Sequence, residues 1–496
     1  MSKRILVTGA TGYVGGRLIP QLLEAGHQVR VFARNPDRLR DYPWFNDIEI
    51  VEGDARDKKA VEESVTNIEV VYFLLHSIIL GKELSKTEDL IANNFANSGK
   101  KMGVKRFIYL GGMVSNEDAK HSKHLSSRLN VGKVLRDSGV STIELRAAVI
   151  IGSGSASFEM LRYLTERLPV MITPRWLNSK VQPIAIRDVL NYLVGSAEIE
   201  ESINDHFDIA GPDILSYREM MQKYANVAGL RKRAIISLPF LTPRFSSHWI
   251  NLVTPVPKSI AKPLVSSLTS EVIAKDHSID DLFPDLRKHL LPFGTAVSLA
   301  LERVRDDEVL TRWSSALNNE EDIHPLPSDP SITDPTWSGG TLYEENHTSS
   351  IEIDSEKLWK VIESIGGKNG WYSFPMAWQV RGFVDRLFGG VGMRRGRRDP
   401  NKLRVGETLD FWRVEEKVNG SRLRLKAEMK VPGQAWLDLT IEKSSTSDNS
   451  LAKLKLRATF RPKGLAGHIY WWSIKPFHGI VFGSMIRNIP KKAQSI

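Results

Sequence analysis

Short apolar runs and amphipathic stretches alternate through the first hundred residues. Residues 5–7, 29–33, 48–51, 70–75 and 107–110 have the apolar, β-branched character of strands. Residues 17–25, 58–65 and 87–102 repeat their apolar positions at helical spacing. Strands alternating with helices pair in parallel, because each helix carries the chain back to the same sheet edge. This region therefore predicts a doubly wound α/β sheet with its ligand at the carboxyl ends of the strands.

The pattern changes twice further along. Residues 156–317 are more irregular and helical, with an amphipathic helix from Glu159, a strand at 207–209 and a helix over 216–228. Residues 238–268 hold five prolines around Trp249 and read as a lid or substrate subdomain. Residues 318–340 are polar and proline-rich and predict a linker between domains. The domains expected are a Rossmann core over 1–155, its substrate or lid part over 156–317, and a separate domain over 341–490. In that last part alternating runs at 342–353, 408–414, 421–431, 435–442 and 451–461 predict antiparallel strands. A helix is predicted over 355–365, and an amphipathic stretch over 465–489 closes the domain.

Charge sharpens this division. The 496 residues carry a net charge of +10. Residues 341–496 hold 27 Lys and Arg against 16 Asp and Glu, whereas residues 1–340 hold 41 against 42. The surplus thus belongs to the last third, where seven of the twelve tryptophans also lie. An anionic ligand, an anionic membrane surface or a solvated basic face each fits that surplus, but no recognition motif accompanies it and nucleic acid is not expected. The chain has no cysteine, which excludes disulfides, thiolate metal sites and a cysteine nucleophile. Strand signal begins right after Met1-Ser2-Lys3, and no run reaches the roughly 18 apolar residues of a membrane span. The expected location is the cytoplasm, with peripheral attachment to the inner face of the membrane as a variant.

The candidate chemistry starts at Thr8-Gly9-Ala10-Thr11-Gly12-Tyr13-Val14-Gly15, between the first strand and the first helix. Glycine lets the backbone approach a phosphate, and the unpaired N–H groups and dipole of the helix N-terminus face the anion. The second strand ends at Arg34, with Arg38 one turn on. An acid there would hold the ribose hydroxyls of NAD. Guanidinium instead pairs with a 2′-phosphate, which predicts NADP over NAD. Asp54, with the following Ala55, suits the adenine edge or the cap of the next helix.

With Ala33-Arg34-Asn35-Pro36 and Gly53-Asp54-Ala55-Arg56-Asp57, the glycine turn resembles the short-chain dehydrogenase/reductase superfamily, within it the atypical, NmrA-like branch. Leu145-Arg146-Ala147-Ala148-Val149-Ile150-Ile151-Gly152 and Gln182-Pro183-Ile184-Ala185-Ile186-Arg187-Asp188-Val189 are similar to the same branch, so the resemblance covers roughly residues 1–300. It implies a Rossmann fold with NAD(P) at the turn and the later segments flooring a substrate cleft. It does not bring the superfamily's Ser–Tyr–Lys set. The fifth strand ends Leu110-Gly111-Gly112-Met113, where Ser or Thr belongs. His124 stands in the tyrosine register and Arg128 in the lysine register. His124 and Arg128 are therefore the candidate catalytic pair, or alternatively helix residues touching the cofactor ribose. By register, His76 and Gly111 also belong near the cofactor. Ser153 and Ser155 belong to a polar loop that is a candidate for substrate contact.

The last third resembles the START/polyketide-cyclase helix-grip fold. More closely, Ile365-Gly366-Gly367-Lys368-Asn369-Gly370-Trp371-Tyr372 and Tyr470-Trp471-Trp472 resemble an uncharacterised domain fused behind atypical short-chain dehydrogenases. Arg394, Arg395, Arg397 and Arg398 lie on a glycine-rich loop suited to a phosphate, a carboxylate or anionic lipid. Two functions follow. One is an NADP-dependent oxidoreductase or isomerase for a bulky apolar substrate. The other is a non-catalytic NADP-binding sensor or assembly factor, peripheral to a membrane.

Overall fold

The computed structural model describes residues 2–40, 42–75, 84–113, 123–238, 271–310, 338–349, 353–373, 399, 402–443 and 451–495. Contacts divide the chain into two compact units, Met1–Gly340 and Thr341–Ile496.

The first unit is built on β1 (Arg4–Thr8), β2 (Gln28–Ala33), β3 (Glu49–Glu52), β4 (Val70–Phe73), β5 (Arg106–Gly112) and β6 (Ser141–Ala147). The chain then adds β7 (Ile150–Ile151), β8 (Val170–Pro174), β9 (Lys180–Val181), β10 (Ile184–Ala185), β11 (Asp205–Ile209), β12 (Leu215–Ser216) and β13 (Ala234–Leu238). The main sheet has the order β11-β6-β5-β4-β1-β2-β3, with every pairing parallel. Strand order reverses beside β1, and at that switch point the carboxyl ends of an open sheet leave a crevice.

The inter-strand helices are α1 (Tyr13–Glu24), α2 (Lys58–Val65), α3 (Leu84–Met102), α4 (Lys123–Arg136), α5 (Ala156–Arg167), α6 (Ile186–Ser196), α7 (Tyr217–Val227) and α8 (Phe293–Leu310). Both faces of the sheet are covered. Leu18, Ile19 and Leu22 of α1 pack with Val189 and Leu193 of α6 on one side, and Val61, Phe95 and Leu135 fill the other. This double burial explains why β1 and β4 read as unbroken apolar runs rather than alternating ones. A third core under α5, α7 and α8 holds Phe158, Met220 and Val297. Helix α7 starts on a capping box, in which Ser216 accepts from the Glu219 N–H and Glu219 accepts from the Ser216 N–H.

In the second unit, β14 (Tyr343–Thr348), β15 (Ile353–Asp354), β16 (Thr408–Leu409), β17 (Trp412–Val418), β18 (Arg422–Ala427), β19 (Gly433–Lys443) and β20 (Leu451–Pro462) form an antiparallel sheet. Helices α9 (Ser355–Glu363) and α10 (Gly464–Gln494) pack on it over Trp359, Trp371, Phe411, Trp412, Phe482 and Met485. The run expected to continue through 408–414 is interrupted. Asp410 takes a left-handed φ of 55°, and its carboxylate accepts from Trp371 Nε1 at 2.8 Å and from Gly367 N at 3.1 Å. Local polar bonds override strand propensity at that point. The expected subdomain at 238–268 and most of the expected linker fall outside the described residues. Residues 338–340 of the linker close the first unit, where Gly339 N donates to the buried Glu159 carboxylate at 3.2 Å.

Two buried hydrogen bonds of one hydroxyl tie β1 to the end of β4 beneath the crevice. Thr8 is fully buried; its hydroxyl donates to the Tyr72 carbonyl and accepts from Leu74 N, both at 3.0 Å. Thr8→Val keeps the shape and orphans both groups. The expected cost is about 1–3 kcal/mol, read from the first unit's urea unfolding midpoint.

Candidate functional site

The turn after β1 is tighter than its apolar neighbours require. Gly9 has a φ of 72°, and a Cβ on it would stand 2.6 Å from the Leu74 carbonyl oxygen. Gly12 N donates to the Gly9 carbonyl at 2.9 Å, which closes the turn. A Cβ on Gly15 would stand 2.4 Å from that same Gly9 oxygen. The helix therefore begins at Tyr13, four residues before the predicted start, because Gly15 and Gly16 belong to its first turn. Gly12 caps α1 with no side-chain hydrogen bond, and no acid occupies the first turn. Thr11 and Gly12 are exposed, and Tyr13 and Val14 half-buried. The result is a notch with uncapped helix N–H groups, shaped for a bound anion. Thr8 stands at its base, but its hydroxyl is spent inside the sheet, so only its backbone faces the turn.

Two features hold this notch that sequence reasoning missed. Arg17, 6% exposed, stacks on the Tyr13 ring with its guanidinium carbon 4.2 Å from the centroid, and donates to the Ser153 carbonyl at 3.1 Å. It joins the first helix to the loop after β7, where Gly152 leaves room for the Tyr13 hydroxyl. Only an apparently charged position on an apolar helix face hinted at it. Asn94, on α3, donates from Nδ2 to the carbonyls of Ala55 at 3.0 Å and Arg56 at 3.1 Å. That holds the loop after β3 in place.

The presumed adenine end behaves differently from one of the two roles open to it. Asp57, not Asp54, caps α2, accepting from Lys59 N. Asp54 accepts from Arg56 Nη2 at 2.6 Å, and this bond, against some desolvation, pushes its carboxyl down to about 2. Ala55 beside it is buried. Arg34 is exposed at the end of β2 and is one of the cations lowering Asp54. Arg40 pairs with Asp37 at 2.9 Å, whereas Arg34 and Arg38 have no carboxylate partner among the described residues.

At the carboxyl end of β5, Gly111 is buried and packs against Tyr109 and Glu144. The Tyr109 hydroxyl donates to the Arg128 carbonyl at 3.2 Å, and burial pushes its ionisation up. This buried tyrosine braces β5 against α4. Arg128 is half-buried, and its Nε is buried without a partner among the described residues. Nearby, the buried Glu144 is bridged by Arg136 and by Arg146, the latter at 2.8 Å, under a notch in α4 at Gly132. No sequence signal marked that ion cluster, because a charged residue inside a strand reads as an outward-facing position.

Of the remaining candidates, His76 lies outside the described residues. His124 lies within α4, but its side chain is not among those described. The four arginines of the 394–398 loop also lie outside them. Ser155 has a partner within its own loop. Its hydroxyl donates to the Ile150 carbonyl at 2.8 Å and so closes the loop. Ser153 is 1% exposed, and its hydroxyl has no partner among the described residues. No cluster of three metal-ligating side chains occurs among the described residues. No helix among them is long and apolar enough to cross a membrane.

The glycine notch and the uncapped helix start fit an anionic dinucleotide. Residues 9–150 match a family described as NAD(P)H-binding, and residues 337–485 match one described as "Protein of unknown function (DUF2867)". A 3β-hydroxysteroid dehydrogenase/Δ5→4-isomerase of Mycobacterium tuberculosis is 33% identical over 116 residues, 21% of this chain and 30% of that protein. The chain thus spans under a third of that relative's length. A (4-alkanoyl-5-oxo-2,5-dihydrofuran-3-yl)methyl phosphate reductase of Streptomyces griseus is 26% identical over 232 residues, 45% of this chain and 74% of that protein. Among solved structures, the Citrobacter triphenylmethane reductase complexed with NADP(H) shares 18% identity, with a TM-score of 0.48 over 60% of this chain and 99% of that one.

Filling the notch tests the site. Gly15→Ala is expected to abolish the roughly 2.7 kcal/mol of stabilisation that cofactor at a hundred times its dissociation constant confers, read by thermal unfolding. Circular dichroism checks that the sheet persists. Residues 9–150 thus match an NAD(P)H-binding family and carry, in a Rossmann-like parallel sheet, a glycine cradle shaped for such a cofactor.

Proposed function

We propose that the protein is an NADP-dependent oxidoreductase or isomerase for a bulky apolar substrate. The observation that carries the cofactor choice is the pair of exposed guanidinium groups at Arg34 and Arg38, without carboxylate partners among the described residues. They suit a 2′-phosphate bidentately, and no acid at the end of β2 competes for the ribose. The dinucleotide phosphates would lie on the notch of Gly9, Gly12 and Gly15, and the adenine beside Asp54 and Ala55. Bound there, the nicotinamide supplies hydride chemistry. The chain's own part is to orient the substrate and stabilise its oxygen. The Arg128 guanidinium stabilises a developing oxyanion electrostatically. Proton movement falls to His124, one helical turn away on α4. Ser153, whose hydroxyl has no partner among the described residues, is the better substrate contact in its loop.

The apolar substrate class is supported by the steroid and alkanoyl substrates in the names of the two sequence relatives. We further read the second unit as a helix-grip domain of the START type. A long helix on an antiparallel sheet over an aromatic core supports that reading. One observation favours a non-catalytic NADP sensor instead: β5 ends in Gly111-Gly112, and its Tyr109 is buried and bonded to the Arg128 carbonyl.

The two readings separate on turnover. Steady-state NADPH oxidation with steroid ketones and quinones supports the enzyme, and loss of that rate in Arg128→Met ties it to the site. Tight NADPH binding with no turnover across the screen supports the sensor. For the cofactor itself, Arg34→Ala is expected to weaken NADPH by about 1.5–3 kcal/mol, the value of a hydrogen bond to a charged group, and to leave NADH unchanged. Titration calorimetry with both nucleotides reads the difference.

A further inference from the structure

Helix α10 is arranged inside out in its first half. Its buried face carries Trp471, stacked with Tyr343 and Phe460 at ring separations of 5.1 and 5.8 Å, and two histidines. His468 bonds the Tyr343 hydroxyl at 2.8 Å, and His478 meets Glu345 at 3.4 Å. Polar groups thus line the seam with β14. The solvent face is the apolar one. Leu465, Ile469, Trp472, Phe477 and Ile480 are 41%, 61%, 59%, 65% and 56% exposed. At 100° per residue, Leu465, Ile469, Trp472 and Ile480 fall on one stripe with the exposed Pro476 among them, and Phe477 flanks it. At 1.5 Å per residue the stripe runs for about 22 Å. Soluble chains leave single apolar side chains exposed, but rarely a continuous row containing a Trp and a Phe.

The charge around the stripe says what it meets. All 31 residues of α10 lack an acidic side chain, while Lys475, Arg487, Lys491 and Lys492 lie along it and Lys463 stands at its N-cap. The Lys475 ammonium sits over the Trp472 ring, 4.8 Å from its centroid, so one cation is carried at the edge of the apolar stripe. The whole second unit carries eleven more basic than acidic residues. An apolar ridge with aromatic residues and flanking cations is the pattern of a helix lying in the plane of an anionic bilayer, its apolar face among the acyl chains and its lysines at the headgroups. We propose that the outer face of α10 docks the protein on an anionic membrane surface, independently of what the first unit catalyses.

The test uses the full chain and two sets of vesicles, one of phosphatidylcholine alone and one of equal parts phosphatidylcholine and phosphatidylglycerol. The protein is expected to sediment with the mixed vesicles at low salt, to be released as salt rises past the point where the screening length falls to about 10 Å, and to ignore the neutral ones. The double variant Ile469→Ser/Trp472→Ser should bind the mixed vesicles at least about tenfold more weakly. Both positions face solvent, so its far-ultraviolet dichroism and its NADPH-dependent thermal shift should match the parent. Lys475→Glu should weaken binding in the same direction while leaving the ridge intact. Equal sedimentation of the double variant and the parent overturns the proposal, as does equal binding to both vesicle types. It is also overturned if the parent ignores all vesicles but elutes as a dimer that the double variant breaks, since the face then belongs to a second copy of the chain.

Discussion

The first unit depends on one close approach, that of the α1 backbone to the turn it has just left. Gly15 comes so near the Gly9 carbonyl that a single added carbon would lie 2.4 Å from it. Gly9 in turn lies against the Leu74 carbonyl, at the end of the neighbouring strand. Three backbones from β1, α1 and β4 therefore meet with no side chains between them. That contact aims the uncapped N–H groups of α1 into the crevice at the switch point of the sheet. The Thr8 hydroxyl stitches β1 to β4 directly beneath. Arg17 carries the constraint outward, from α1 to the loop that holds Ser153. The glycine notch and the Ser153 loop are thereby built as one piece.

The periodicity was enough to place this part of the fold. Double burial makes the strands continuous apolar runs, and the intervening helices keep a clear 3.6-residue rhythm, so the parallel α/β class follows from general rules. The start of α1 was misplaced because glycine counts against a helix by propensity, while here the first turn needs glycine for clearance. Asp54 and Asp57 compete for one cap three residues apart, and only the geometry shows that Arg56 takes the first and leaves the second to α2. Ser155 looked like Ser153 in sequence. The difference lies in the Ile150 carbonyl, which becomes a neighbour only once the loop has folded.

The least legible features were buried charges. Glu144, Arg17 and Arg106 sit at positions where a sequence reader expects solvent, yet each is almost fully enclosed. Arg106 spends its guanidinium on the carbonyls of Ser196, Ile199 and Glu200, after the end of α6, and so caps that helix from another strand. Such long-range satisfaction leaves no periodic trace. The same holds in reverse for α10, where the exposed face is apolar and the buried face carries histidines.

Hydrogen–deuterium exchange of the full protein with and without NADPH reads directly where the cofactor touches the chain. Slowed exchange is expected at residues 9–17, 33–38 and 53–56, with residues 341–495 unchanged. Protection confined to the second unit, or none over residues 9–17 at saturating NADPH, would contradict this cofactor site.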